Sequence, residues 1–133
     1  MSEFIYPDES TGRKLIKEFG GNSNEVLSCQ DWEYTYPKLT DLDKYIARYK
    51  QKETTGKEKR ILTSFIFQAC DDLLREKYAG NEIYVRESLS NLSKDIEITK
   101  YEFNYWSSWD TEEKEFRWFI SEITREFKIK IEE

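Results

Sequence analysis

Histidine is missing altogether from these 133 residues. That removes the commonest general base and the commonest transition-metal ligand. Cysteine occurs twice, as Cys29 and Cys70. Without histidine, neither thiol can join the usual Cys–His nucleophile pair. A Cys29–Cys70 disulfide is one alternative; two free thiols in a reducing cytoplasm is the expected one. Glycine is scarce, and the only adjacent pair, Gly20-Gly21, follows a helical pattern rather than a strand, so no phosphate-cradling loop is present. No serine sits in an elbow motif. No apolar run is long enough to span a bilayer, and no secretory signal peptide is visible, so the expectation is a cytoplasmic chain with no membrane partner. A basic excess is missing too. The chain carries 27 acidic against 21 basic residues, net −6. The footprint of a nucleic-acid binder is therefore absent.

Aromatic side chains are plentiful: nine Tyr, eight Phe and four Trp. Such a chain is not a disordered segment. Its length fits a single globular domain over 1–133, large enough to bury a core without metal or disulfide.

One stretch organises the rest, a long central helix over about 56–79. Thr55 is placed to cap it, and Glu58 has the capping-box spacing. Gly80 follows the last periodic residue and can take the left-handed conformation of a C-cap. At about 100° per residue, Ser64, Gln68, Asp71 and Arg75 form a narrow polar strip. Leu62, Phe65, Ile66, Phe67, Ala69, Cys70, Leu73, Leu74 and Tyr78 fill most of the remaining circumference. So broad an apolar surface predicts neighbours on several sides. Lys57, Lys59 and Arg60 oppose the dipole at the helix start. They mark either a contact with acid elsewhere, a solvated turn, or a patch for a phosphate-rich partner.

Around this helix the pattern predicts a helix-rich bundle. Ser10 is expected to cap a short helix bearing Leu15, Ile16 and Phe19. Thr40 is expected to cap another bearing Leu42, Tyr45 and Tyr49, which a short link makes an antiparallel neighbour of the central helix. A final helix is expected from Asp110, with Glu113 completing its box and Phe116, Phe119, Ile120, Ile123 and Phe127 on one arc. Strand signals compete at several places. Trp32, Tyr34 and Tyr36 alternate with polar residues. Glu97–Phe103 is rich in β-branched and aromatic residues. Ile83-Tyr84-Val85 and the alternating Ile129 and Ile131 add two more. The fold class is therefore an α-rich single domain, with an α+β form as the alternative, its small antiparallel sheet drawn from 26–36, 96–105 and the C-terminus.

Two constellations bear on function. Asp71, Asp72 and Glu76 form the best carboxylate cluster. They would serve a small metal-binding or catalytic domain, or else pair with Lys or Arg of a neighbouring helix. The second is an acidic, aromatic surface. Trp106, Trp109, Asp110, Glu112 and Glu113 join rings to a run of acids. Trp118 is set opposite the last helix's apolar arc and shares its face with Glu122. Trp32 and Glu33 have the same character. Rings beside carboxylates suit a partner rich in Lys and Arg. The plain alternative puts those rings in the core, a reading that fits Phe103 and Tyr101 better than Trp106 or Trp109.

In size, acidity and lack of catalytic motifs the chain resembles the small acidic immunity proteins that neutralise bacterial toxins. No aligned motif carries the resemblance, and it transfers no residue roles. It implies a non-catalytic bacterial inhibitor with no cofactor, binding a basic toxin domain, a nuclease among the options. A phage- or plasmid-borne antagonist of a host nuclease and an adaptor subunit are alternatives.

Overall fold

Capping and periodicity combine at the central helix to fix the layout. In the computed structural model, residues 8–28, 31–76, 80–107 and 118–132 are described. They form α1 (Glu9–Glu18), α2 (Ser23–Leu27), α3 (Trp32–Thr35), a 3-10 turn (Leu39–Asp41), α4 (Leu42–Lys50), α5 (Gly56–Arg75), α6 (Asn81–Ser93), α7 (Ile96–Trp106) and α8 (Ser121–Glu132). No strand occurs among the described residues.

The start of α5 is the capping box that its sequence specifies. The Glu58 N–H donates to Thr55 Oγ1 at 3.2 Å, and the Thr55 N–H donates back to Glu58 Oε1 at 2.9 Å. Two orphan donors of the first turn are thereby satisfied. The other end differs from expectation. α5 stops at Arg75, and Gly80 adopts φ +89° as the residue leading into α6 rather than as a cap of α5. α1 is capped by Asp8, which accepts the Thr11 N–H, and not by Ser10. The short link after α4 does return the chain antiparallel: Arg48, near the end of α4, meets Glu58 in the first turn of α5.

α5 is enclosed. Its entire stretch from Arg60 to Phe67 is buried, including the Ser64 of the supposed polar strip, and Asp71 is buried too. α1, α3, α4, α6 and α7 all pack against α5. α7 runs parallel to α5, because Lys59 pairs with Asp95 at one end while Phe67 packs on Phe103 and Trp106 at the other. α8 lies against α6 and α7, with Phe127 on Phe103 and Arg86 paired with Glu126.

Every strand signal within the described residues resolves as helix. In α7, Thr99, Phe103 and Trp106 fall three and four apart and are all buried against the core, so the helical period wins over β-propensity. The Thr99 hydroxyl donates to Leu92 O and Asp95 O, which removes its competition with the backbone. The rings of Trp32, Tyr34 and Tyr36 do not alternate in and out. All three reach inward from α3 and its end: Trp32 and Tyr36 onto Phe65, Tyr34 onto Trp106. Gly12 admits this arrangement, since a Cβ there would fall on Trp32 Cη2. Ile83 to Val85 lie within α6, and Ile129 and Ile131 lie within α8. The expected helix start at Asp110, with Phe116, lies outside the described residues.

Candidate functional site

Among the described residues an ion pair lies buried between α5 and α7, and a cluster of rings grows outward from it. Arg60 Nη1 sits 3.3 Å from Glu102 Oε1. Ser64 donates its hydroxyl to the same carboxylate in a short hydrogen bond, and Arg60 donates to Ser64 Oγ at 2.9 Å. Tyr34 adds its hydroxyl to Glu102 at 3.0 and 3.1 Å. Burial drives the Glu102 carboxyl above its ordinary value, against the opposing pull of Arg60, Ser64 and Tyr34. Burial first, then the Glu102 charge, pushes the Tyr34 hydroxyl up, so it remains a neutral donor. The acid that the basic start of α5 needed is therefore on α7. Arg60 is a core residue rather than part of a solvated patch.

Above this pair the rings form a ladder. Tyr105 stacks on Tyr34 at 5.1 Å and 11°, on Tyr101 at 6.3 Å and 18°, and on Trp118 at 4.8 Å and 26°. Tyr101 is 42% exposed and Tyr105 38%. The Arg60 guanidinium lies 4.8 Å from the Tyr101 ring centre on the inner side. Asp31, exposed at the start of α3, and Glu33, half-buried in its first turn, border the ladder. Burial raises the Tyr105 hydroxyl first, followed by the charges of Glu102, Asp31 and Glu33 and the neighbouring Tyr101. Glu33 is itself raised by burial, then by Asp31, while its own backbone N–H pulls it down. Neither Asp31 nor Glu33 forms an ion pair among the described residues. The arrangement positions charge and planar surface. Among the described residues it contains no nucleophile paired with a base.

The structure redistributes the residues singled out from sequence. Trp106 is 2% exposed and stacks on Phe67 at 6.1 Å and 9°, so it belongs to the core and not to a contact surface. Trp118 is partly buried, with one ring neighbour on each of the exposed and buried sides, Tyr105 and Trp106. Trp32 is partly buried over Gly12. Glu33 lies in the bordering position just described, and Glu122 is exposed in the first turn of α8. Trp109, Asp110, Glu112 and Glu113 lie outside the described residues. Sequence reasoning assigned Tyr101 to the core and missed Asp31, Tyr105 and the Arg60–Glu102 pair. The missed signal is the helical period of α7. Thr99, Glu102, Phe103 and Trp106 share one face, which leaves Tyr101 and Tyr105 on the other.

The carboxylate cluster of α5 serves the fold. Asp71, 1% exposed, accepts the Ile120 N–H at 3.0 Å and so anchors the chain at the entry to α8. Asp72 accepts from Gln68 at 3.1 Å. Both approach Arg75 of their own helix, at 3.5 and 3.9 Å, and neither pairs with a cation of another helix among the described residues. Burial raises both carboxyls, with Arg75 working against it. Among the described residues no group of three or more potential ligands is placed to hold a metal ion. Cys70 is a free thiol, and burial pushes it up to about 12. No described helix is long and apolar enough to cross a membrane.

Comparison with known proteins adds no relative: no family model, curated protein or solved structure matches the chain.

Proposed function

We propose that this chain is a non-catalytic inhibitor of immunity-protein type. It binds a basic toxin domain, a nuclease among the candidates, and blocks it by steric and electrostatic complementarity in the bacterial cytoplasm. The observation that carries this reading is the exposed Tyr101–Tyr105 edge bordered by Asp31 and Glu33, two acids that form no ion pair among the described residues. An unpaired carboxylate beside an exposed ring matches a partner's Lys or Arg, and such pairs steer association as well as hold it. The net charge of −6 extends the same attraction over the whole molecule. Glu122 adds a further exposed acid on α8.

The test is co-purification from native cells at low and at high salt, followed by assay of the captured protein. A basic protein retained at low salt and released at high salt supports the reading when its toxic activity is suppressed by this chain and restored on release. Tyr105→Ala should weaken that capture without loss of fold. Retention of no basic protein at either salt overturns the proposal.

A further inference from the structure

The ladder also discriminates between the two kinds of positive charge a partner can present. We infer that the Asp31–Glu33–Tyr101–Tyr105 face receives an arginine side chain of the basic partner in preference to a lysine. This rests on the basic-partner reading and specifies its contact.

Three observations support it. First, the ring planes share an orientation. Tyr105 lies within 11°, 18° and 26° of the planes of Tyr34, Tyr101 and Trp118. A planar guanidinium extends such a ladder by one rung, whereas an ammonium is a compact, strongly hydrated point charge with no plane to match. Second, cations already lie over rings in the described residues, Lys59 over Tyr49 at 5.2 Å among them, but the one on this ladder is an arginine. Arg60 lies over Tyr101 at 4.8 Å, and Arg75 lies over Phe119 at 5.4 Å. Third, the half-buried Glu33 and the exposed Asp31 beside it are set apart from the acids packed along α5 and α7. Glu58, Asp71, Asp72 and Glu102 each have a cation partner within the molecule, while Asp31 and Glu33 have none among the described residues. A guanidinium seated at the outer edge of the ladder would lie against the partly exposed Tyr101 ring, which Tyr105 holds in plane, and direct its N–H fork at these carboxylates. The seat is held in advance. Tyr34 is pinned by Glu102, and Tyr105 is held between Tyr34 and Trp118, so little side-chain freedom is lost on binding.

The test uses the whole chain and two peptides of equal length and charge, one arginine-rich and one lysine-rich, titrated by calorimetry at low salt. The arginine peptide should bind roughly three- to tenfold more tightly. Tyr101→Leu and Tyr105→Leu should each erase most of that preference while leaving lysine-peptide affinity within about twofold of wild type. Glu33→Gln should weaken both peptides alike. Because Tyr101 is the more exposed ring, its variant decides the matter if Tyr105→Leu fails to fold. Equal affinity for the two peptides, or a preference that survives in the Tyr101 variant, overturns the arginine inference and leaves the basic-partner reading standing. Binding of neither peptide overturns both.

Discussion

Arg60 Nη1 and Glu102 Oε1 stand 3.3 Å apart on two parallel helices, with side chains 2% and 0% exposed. A buried pair of this kind is weak evidence of net stabilisation, yet removing one partner strands the other. Glu102→Gln should therefore cost about 3–5 kcal/mol in urea or thermal unfolding. The double variant Arg60→Met/Glu102→Leu should recover part of that loss. The remainder reflects the Tyr34 and Ser64 hydroxyls, left without their acceptor. A double variant no more stable than the single one would show that the two charges are not coupled.

Glu58 supplies the acid limb of the stability profile. Burial alone would raise its carboxyl. The Thr55 N–H, then Lys14 and Arg48, overcome that and hold it down at about 2. A folded-state value below the unfolded one gives stability that is complete above the unfolded value of 4.5 and is lost as pH falls towards 2. The full shift corresponds to about 3 kcal/mol. Wild type should lose that much between these limits, and Glu58→Gln should be less stable at neutral pH with a flatter acid limb. Chemical denaturation at a series of pH values measures both.

The Trp106 ring of α7 packs among Phe67 of α5, Tyr34 of α3 and Trp118, and its Nε1 finds no acceptor among the described residues. Trp106→Ala should cost about 3–5 kcal/mol, the range for deleting a large buried ring. Trp106→Phe should cost much less, since it leaves a smaller void and breaks no bond. A phenylalanine variant as unstable as the alanine one would point to a bond made by the indole N–H.

Asp71 acts as an acceptor for the main chain. Asp71→Ala strands the buried Ile120 N–H and should cost about 1–3 kcal/mol. Asp71→Asn keeps an acceptor oxygen and should cost less. Magnesium or calcium should leave the wild-type melting temperature unchanged. A rise that Asp72→Asn abolishes would instead restore the metal-binding reading of this cluster.

The helical class and the enclosed central helix were legible because their signals are local. A capping box and a continuous 3.6-residue apolar pattern need no knowledge of neighbours. The α7 segment was not legible as helix by propensity. Ile96, Thr99 and Phe103 suit either period, and only packing against α5 decides between them. That one ambiguity also hid the candidate surface. A strand reading pairs Tyr101 with Phe103 and Tyr105 on one face, whereas the helix separates Phe103 from both tyrosines. The position of Glu102 was equally inaccessible, because its partners Arg60, Ser64 and Tyr34 come from sequence separations of 42, 38 and 68.

α8 packs mainly on α6 and α7, and its entry is tied to α5 by the Asp71–Ile120 hydrogen bond. Its release would leave the contacts of α1, α3 and α4 with α5 in place. Amide hydrogens of Ser121–Glu132 should accordingly exchange with deuterium faster than those of Arg60–Phe67, through a partial opening that the central helix survives. Trp118, just ahead of α8, would go with it and uncover the Trp106 ring. The ladder would thus lose its last rung before the domain loses its core.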